Sequence, residues 1–386
     1  LASSAASDVY KRQEFVGRLS IGQQQMVEIA RNLNQDDLRV LIMDEPTSSL
    51  SAAEVKVLFK IMRELLEAGI SIVYISHRLE EIMEIGDHVT ILRDGKYVAD
   101  ADVKDIELSW IVENMVGKNT QYHRFERSID LSKQPKVLEI KDMCLPKKGG
   151  GWTLDHVSLD LKKGEVLGVY GLLGAGRSEL FECLMGLHPE HTGDVLYEGK
   201  KLNIKDVAAQ IKNGFALVPE DRQSQGLIQT LDIGKNTAIS SMKDYVKGLF
   251  LDEKAENAAV DEQIKDIHIK VADKRLPILS LSGGNQQKVV IGKGLLTKPK
   301  ILLLDEPSRG IDIGAKTEVF EIIHDLAEKG LSIIVISSEL KEIMAIADRI
   351  VVLSNGKKTG ELTGDEITED TLVRTSYAGL GTGRNA

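Results

Sequence analysis

The sequence predicts an α/β protein with a parallel sheet at its core, present in two copies along the chain. Apolar strand segments alternate with helical segments in both halves. A short strand ending in Asp-Glu-Pro occurs at Val40 to Pro46 and again at Ile301 to Pro307. Strands that alternate with helices favour βαβ units, whose strands pair in parallel.

A constant spacing relates the two copies. Four pairs of residues are each 261 positions apart: Asp44 and Asp305, Glu45 and Glu306, His77 and Ser338, and Gly95 and Gly356. Such self-similarity predicts a repeated domain. The second copy contains a glycine loop at Gly171, whose counterpart would precede residue 1. We therefore expect the first copy to be incomplete in this chain.

The elements are predicted in the order that the repeat requires. In the first copy, a helix at 53–67 and a strand at 71–76 follow the Asp-Glu strand. In the second copy, strands are predicted at 137–141, 154–161, 165–170, 300–304, 331–337 and 349–354. Helices are predicted at 176–187, 315–329 and 339–347, and residues 236–295 are expected to be mainly helical.

The domain organisation follows from these assignments. Residues 1–13 are small and polar, without an apolar core, and we interpret them as a non-native leader rather than a signal peptide. Residues 14–117 form the C-terminal part of the first copy, 118–135 a polar linker and 136–386 the second copy.

The composition argues against nucleic-acid binding, a disulfide framework and a membrane-spanning segment. The formal net charge of −10 does not suit a nucleic-acid-binding surface. The two cysteines, Cys144 and Cys183, cannot form a disulfide framework and fit a reducing compartment. No apolar run approaches the roughly 20 residues that span a bilayer. A role at a membrane would therefore need a partner.

A glycine loop joins an apolar strand to a helix in the second copy, a context typical of phosphate-binding loops. Its candidate nucleotide-binding residues are Gly171, Gly174, Ala175, Gly176, Arg177 and Ser178. Backbone N–H groups and the helix N-terminus would contact phosphate, and Ser178 would ligate Mg²⁺. Arg177 stands where lysine is expected, so we expect phosphate binding to survive and γ-phosphate positioning to suffer. The alternative is a simple glycine-rich turn.

Two acidic pairs end the repeated strands. Asp305 would hold Mg²⁺ and Glu306 would act as the general base that orients the attacking water, because phosphoryl transfer depends on positioning and charge neutralisation. Asp44 and Glu45 repeat the arrangement. A single acidic pair at a strand end is common. Two copies, each followed by Pro and Ser or Thr, favour function.

A second repeated motif precedes a helix, at Leu281 to Lys288 and at Leu19 to Gln25. Ser282, Gly283 and Gly284 can offer a hydroxyl, N–H groups and a helix dipole to a phosphate. Ser20 and Gly22 are the first-copy candidates. Ile21 stands where the second copy has glycine, which makes the first motif degenerate. Both serines could equally be plain helix N-caps, and the two interpretations are compatible.

The chain resembles the ATPase subunits of bacterial monosaccharide importers of the ATP-binding-cassette (ABC) class, the ribose, galactose and xylose type. The resemblance rests on Leu281–Lys288, on Val218 to Arg222, on Gly171–Ser178 with Arg177, on Asp305–Asp312 and on Leu19–Ile29. It covers residues from about 14 to the C-terminus. It implies P-loop NTPase cassettes with a parallel sheet core and a helical subdomain, and ATP and Mg²⁺ as cofactors.

The resemblance also implies roles and partners. His77 would be the switch histidine, replaced by Ser338 in the second copy. Glu220 would occupy the Q-loop position, with a surface that meets a membrane partner or a solvated turn as its alternatives. Trp152 is the nearest candidate for stacking on adenine. Cassettes would pair head to tail on the cytoplasmic face of the bacterial plasma membrane. They would dock on permease subunits that an extracytoplasmic sugar-binding protein supplies.

Three functions remain open at this point. The first is an importer ATPase, whose cargo could be a pentose, hexose, deoxy-sugar, polyol or nucleoside. The second is a soluble ABC protein acting on ribosomes or DNA, which the acidic composition and short linker disfavour. The third is a scaffold that does not hydrolyse ATP. In the first, the parent protein would hydrolyse ATP mainly at the site that contains Asp44, Glu45 and His77. Because this chain lacks the glycine loop of that site, we expect it to bind nucleotide weakly at the second site and to turn over little.

Overall fold

The computed structural model describes residues 15–16, 24, 27–31, 38–47, 50, 52–76, 79–93, 96–108, 110–111, 114, 125, 127–147, 149–172, 174–248 and 250–378. The chain divides into two compact units, residues 1–120 and 121–386. The predicted leader, 1–13, lies outside the described residues. The remaining domain boundaries stay a prediction.

The first unit contains a parallel strand pair, an amphipathic helix and an antiparallel hairpin. Strands β1 and β2 pair in parallel, with Val40 opposite Ser71 and Asp44 opposite Ile75. Leu58, Phe59 and Met62 of helix α1 are buried in one cluster with Leu41 and Met43 of β1. The elements are β1 Val40–Asp44, α1 Ala52–Glu67, β2 Ser71–Ile75, α2 Leu79–Ile85, β3 His88–Arg93 and β4 Lys96–Asp102.

The second unit contains an antiparallel sheet in the order β6-β5-β8-β9, whose first two strands precede the main sheet in the chain and whose last two follow its strand β7. The first strand of the main sheet, β7, leads into helix α3. These elements are β5 Lys136–Pro146, β6 Trp152–Lys162, β7 Val166–Gly171, α3 Arg177–Leu184, β8 Thr192–Tyr197, β9 Lys200–Lys201, α4 Val207–Lys212 and β10 Phe215–Val218.

Residues 236–295, which were predicted to be mainly helical, also contain a small hairpin. Gly248, at positive φ, allows the chain to reverse between its two short strands. Before it, Arg222–Gly226 form a short π-helical turn. The elements are α5 Ile233–Ala238, a 3₁₀ helix Ile239–Tyr245, β11 Val246–Lys247, β12 Phe250–Leu251, α6 Glu253–Asp266 and α7 Gly283–Leu295.

The main sheet has the order β10-β13-β14-β7-β15-β16, parallel except for β16. Every residue of β7, β13, β14 and β15 is buried, as expected of strands covered on both faces. The remaining elements are β13 Ile301–Asp305, α8 Ile313–Glu328, β14 Ser332–Ile336, α9 Leu340–Ile346, β15 Arg349–Ser354, β16 Lys357–Thr363 and α10 Glu369–Tyr377. The predicted parallel α/β core is confirmed.

Part of the predicted linker packs onto the second unit. The Phe125 ring stacks on His324 with centroids 4.8 Å apart. The Arg127 guanidinium lies 3.2 Å from a carboxylate oxygen of Glu328 and 3.2 Å from one of Asp348. These ion pairs are largely shielded from water, so they hold the segment more firmly than exposed pairs would.

The two units repeat one buried contact at the predicted spacing. In the first unit, Thr47 Oγ1 donates to Glu81 Oε2 at 2.7 Å. In the second, the Ser308 hydroxyl donates to Glu342 Oε2, and both residues again lie 261 positions later. Each contact ties the turn after the Asp-Glu pair to the helix that follows the next strand. The repeat inferred from sequence is thus also a repeat of side-chain contacts.

One sheet face differs between the units. Val40, Ile42, Val73 and Ile75 of the first unit are between 47% and 67% exposed. Their counterparts Ile301, Leu303, Ile334 and Ile336 have no exposed surface, because they belong to the core cluster that includes residues of α3, β5 and β6. The same strand pattern is therefore a half-covered sheet in one unit and a buried core in the other.

Matched alanine substitutions test this difference. Leu303→Ala should lower the free energy of unfolding of the second unit by about 2–5 kcal/mol, since it removes a packed side chain from the core. Ile42→Ala, at the equivalent position, should cost less than about 1 kcal/mol because its side chain is mostly in water. Urea denaturation of both variants measures the costs. Equal costs would contradict the exposed face.

A nucleotide-binding edge in the second unit

The candidate site lies where four parallel strands of the main sheet end. Gly171, Val218, Asp305 and Ile336 are the last residues of β7, β10, β13 and β14. In open parallel sheets, ligands bind outside the carboxyl ends of the strands. The structure thus brings the glycine loop, Glu220, the Asp-Glu pair and Ser338 to one edge.

The glycine loop turns sharply between β7 and α3. Gly176 has φ of +92°, and a Cβ atom there would lie 2.7 Å from the carbonyl oxygen of Thr153. Only glycine fits this approach. Ala175 is buried and its carbonyl accepts the amide of Gly356 at 3.1 Å, while Gly174 is open to solvent at φ of +78°. The loop backbone is therefore packed against the protein at Ala175 and Gly176 and open to solvent at Gly174.

The loop lies beside the start of β6, where Trp152 precedes Thr153. The Trp152 side chain is 48% exposed. An exposed aromatic ring next to a phosphate-binding loop has the chemistry to stack on a base. The adenine-stacking role of Trp152 stays a prediction.

Asp305 is a buried carboxylate within reach of Ser178. It is only 5% exposed, and its Oδ1 atom has no hydrogen-bond partner. Burial, with a smaller contribution from the Glu306 charge, raises the pKa of Asp305 to about 6, against the lowering effect of a hydrogen bond from Ser178. An unsatisfied buried carboxylate beside a hydroxyl fits the predicted metal-ligand pair. The role of Asp305 and Ser178 as Mg²⁺ ligands stays a prediction.

Both oxygens of the Glu306 carboxylate have partners. Arg177 Nη1 lies 3.2 Å from Oε1, and both side chains are about nine-tenths buried. The amide and the hydroxyl of Ser338 donate to Oε2 at 3.0 and 3.1 Å. The two departures from the expected motif, Arg177 for lysine and Ser338 for histidine, therefore meet on the predicted general base.

The start of α7 presents the second-copy motif. Ser282 occupies the N-cap position, but its side chain makes no capping bond, and its Oγ accepts from Asn285 at 3.1 Å. Gly283 and Gly284 form the first turn. A Cβ at Gly284 would lie 2.3 Å from that of Ala315, so α7 and α8 are in close contact there. The N-cap interpretation holds for the backbone of Ser282 and not for its hydroxyl.

Glu220 lies beside a cavity of about 390 Å³ that starts at Ser178 and Asp305. The walls are partly apolar and partly polar, and the cavity extends to Lys293 in α7. At its rim the Glu220 carboxylate pairs with the guanidinium of Arg309. Among the apolar lining residues are Phe181, Met185, Leu187, Ile211 and Pro219.

The first-copy site is only partly described. Asp44 and Glu45 end β1, and Glu45 donates its amide to Ile75 at 2.9 Å, as Glu306 does to Ile336 at 3.0 Å. Asp44 is exposed, unlike Asp305. The predicted residues Ser20, Gly22 and His77 lie outside the described residues.

Sequence reasoning missed three polar residues at this edge: Arg222, Arg309 and Glu342. Glu342 is 1% exposed and pairs with Lys316 Nζ at 2.7 Å. The repeat offered a signal for it, since Glu81 and Glu342 occupy equivalent positions within helices. Arg222 and Arg309 lie within segments on which the family resemblance rests, but no local pattern indicated their contacts, which join segments 87 and 89 positions apart.

Comparison with known proteins agrees with the geometry. The ABC transporter family matches residues 154–309. A ribose import ATP-binding protein of Oceanobacillus iheyensis is 40% identical, over 97% of this chain and 76% of the relative. A galactose/methyl galactoside import ATP-binding protein of Clostridium perfringens is 43% identical, over 94% and 69%. A xylose import ATP-binding protein of Pseudomonas savastanoi pv. phaseolicola is 40% identical, over 91% and 68%.

Solved structures support the fold. An ATP-binding cassette of an ABC transporter in its ADP conformation is similar with a TM-score of 0.55, at 23% identity, over 63% of this chain and 99% of that one. The fold and the strand-end site define an ATP-hydrolysing cassette of the ABC type. This chain belongs to the ABC transporter family, among the ATP-binding proteins of monosaccharide import.

The buried carboxylate gives a testable pH dependence. Because the pKa of Asp305 is higher in the folded state than in the unfolded chain, its ionisation costs stability as pH rises through about 6, and the cost is absent below the unfolded pKa of about 3.9. Without nucleotide, the free energy of unfolding of Asp305→Asn, relative to that of the parent chain, should be about 2–3 kcal/mol higher at pH 7.5 than at pH 4. Chemical denaturation at both pH values measures this gain.

Asp273→Asn is the control for that experiment. Arg275 lowers the pKa of Asp273 to about 2, so its replacement should show no such gain. A pH-independent difference between the parent chain and Asp305→Asn would refute the burial argument.

Proposed function

We propose that this chain is the ATP-binding and ATP-hydrolysing subunit that powers import of a simple sugar through a membrane permease. The observation that carries the proposal is the strand-end site, with the glycine loop, Ser178, Asp305 and Glu306 at one edge, in a chain of this family. Its relatives are named for ribose, galactose and xylose import. A monosaccharide is therefore the favoured cargo over a nucleoside or a polyol.

The chain's own residues would divide the work as follows. Backbone N–H groups of Gly174 to Gly176 and the start of α3 hold phosphate. Arg177 supplies a positive charge next to the phosphates, and Ser178 with Asp305 holds Mg²⁺, which neutralises phosphate charge when bound. Glu306 is the candidate to orient the attacking water.

We further propose that the second-copy site binds nucleotide better than it hydrolyses it. A general base must be free to accept a proton, but Oε2 of Glu306 already accepts two hydrogen bonds from Ser338, and Oε1 lies 3.2 Å from the guanidinium of Arg177. A serine hydroxyl cannot take up a proton as imidazole does. The site that combines Asp44, Glu45 and His77 with the Ser282 motif is the better candidate for turnover.

The partner is proposed to be an integral membrane permease, met on the cytoplasmic face of the plasma membrane and supplied by an extracytoplasmic sugar-binding protein. None of the helices in the described part of the chain is long and apolar enough to cross a bilayer. The cavity beside Glu220, with its partly apolar walls and charged rim, fits a short amphipathic segment of such a partner.

Equilibrium binding of Mg·ATP is the first test. The 386-residue chain should bind Mg·ATP saturably, and Ser178→Ala should weaken binding at least tenfold, because it removes a metal ligand and phosphate contact. Isothermal calorimetry at fixed Mg²⁺ measures both. Saturable binding that Ser178→Ala leaves unchanged would place nucleotide elsewhere.

Hydrolysis separates the two sites. Any ATP turnover of the chain should fall with Glu45→Gln or His77→Ala and change little with Glu306→Gln, since the Glu306 carboxylate is already engaged. Phosphate release under saturating Mg·ATP measures turnover. Turnover that vanished in Glu306→Gln and ignored His77→Ala would reverse the ranking of the sites.

A further inference from the structure

Arg222 joins the loop that follows the Asp-Glu pair to the start of α7. Its Nη1 donates to the carbonyl oxygen of Arg309 at 2.7 Å and its Nη2 to that of Gly310 at 2.8 Å. The planar guanidinium thus hydrogen-bonds to the carbonyl oxygens of two successive residues. A charge-assisted pair of parallel bonds is stronger and more directional than neutral hydrogen bonds.

The same guanidinium packs against the glycine of the α7 motif. A Cβ at Gly283 would lie 2.9 Å from Arg222 Nη2 and 3.1 Å from the carbonyl oxygen of Gly310. Gly310 itself has φ of +64°, and a Cβ there would lie 3.4 Å from Arg222 Nη1. Two glycines and one arginine therefore form a close three-way contact, which a side chain at Gly283 would force apart.

The first copy lacks the two glycines. When the two motifs are aligned from Leu19 and Leu281, a spacing of 262 residues, the position equivalent to Gly283 is Ile21. At the 261-residue spacing, the position equivalent to Gly310 is Ser49. Both positions are glycine in the second copy, whose motif at Ser282 is the intact one. The need for glycine at 283 has a cause within the second unit itself, apart from any approach to nucleotide.

The backbone that carries Arg222 is itself fixed. Asp221 caps the π-helical turn by accepting the amides of Gln223 and Ser224 at 2.9 and 3.2 Å. Gln223 Nε2 donates to Gln286 Oε1 of α7 at 2.6 Å, and Lys293 of α7 donates to the carbonyl of Gly226. The turn is anchored to α7 near both ends, so Arg222 extends from a rigid base.

A second contact reaches the same loop, the ion pair between Glu220 and Arg309. Both side chains are well exposed, at 40% and 63%, and exposed ion pairs contribute little. The Arg222 guanidinium is half-buried and donates two hydrogen bonds of ordinary length to the loop backbone. Of these two contacts with the loop, that of Arg222 is therefore the stronger.

We propose that Arg222 is a positioning residue, which holds the backbone of Arg309 and Gly310 against the start of α7 so that this loop and Ser282 move as one unit. In a head-to-tail cassette pair, as the proposed function requires, that unit is part of the surface presented to the other cassette. The positioning role of Arg222 is inferred from contacts within the second unit, so it does not depend on the proposed sugar cargo.

Hydrogen–deuterium exchange of the 386-residue chain tests the hold directly. In Arg222→Lys and Arg222→Ala, amides of residues 309–312 should exchange roughly tenfold faster than in the parent, because the loop loses its main anchor. Lysine keeps the charge but cannot bridge two carbonyls. The dissociation constant for Mg·ATP should change less than about twofold, since Arg222 contacts neither the glycine loop nor the Asp-Glu pair.

Three further variants decide between explanations. Arg275→Ala removes an exposed arginine that bonds Asp273 only, and should leave exchange at 309–312 unchanged. Glu220→Gln should accelerate exchange less than Arg222→Lys does. Gly283→Ala should accelerate exchange in the parent and have a smaller effect in the Arg222→Ala background, because the added methyl group collides with the guanidinium.

The outcomes are decisive. Normal exchange in Arg222→Lys, or a larger effect of Glu220→Gln, would overturn the proposal, as would additive effects of Gly283→Ala and Arg222→Ala. Loss of Mg·ATP binding in Arg222→Lys with unchanged exchange would place Arg222 at the nucleotide instead. Failure of the Ser178→Ala binding test would refute the proposed nucleotide site and leave this hold intact.

Discussion

The chemistry of the second unit depends on the burial of two adjacent carboxylates at the end of one strand. β13 is buried along its whole length, so it delivers Asp305 and Glu306 into a region of low polarity with little water to stabilise them. Each carboxylate is therefore stabilised by neighbouring groups or by a change in its pKa. Asp305 has Ser178 and a raised pKa, whereas Glu306 has Arg177 and Ser338.

The backbone at this point is also constrained. Glu306 has φ of +45° and its counterpart Glu45 has φ of +49°, a left-handed conformation that costs a non-glycine residue about 1 kcal/mol or more. The same strain occurs at the same position in both copies. It places the glutamate at the strand end with its amide bonded to the neighbouring strand, and the buried Thr47–Glu81 and Ser308–Glu342 contacts hold the turn that follows.

Much of the fold and part of the site could be predicted from the sequence, because both depend on local patterns. Fully apolar strands, the 261-residue spacing and the glycine loop each have a short-range signature. The Arg177–Glu306 pair has no such short-range signature, because it joins residues 129 positions apart and depends on how β7 and β13 are placed in the sheet. The hairpin at residues 246–251 was hidden inside a segment whose composition favours helix.

For the motif Val218 to Arg222, the sequence assigned a role to Glu220 alone and none to Asp221 or Arg222. The structure separates them. Glu220 lies at the rim of the cavity proposed for the permease, Asp221 caps the turn, and Arg222 reaches away from the cavity to the loop after the Asp-Glu pair. One short segment therefore has one side at the proposed partner surface and the other at the α7 motif. Two contacts join this segment to the loop after the Asp-Glu pair: the ion pair of Glu220 with Arg309 and the two hydrogen bonds of Arg222 to the backbone of Arg309 and Gly310.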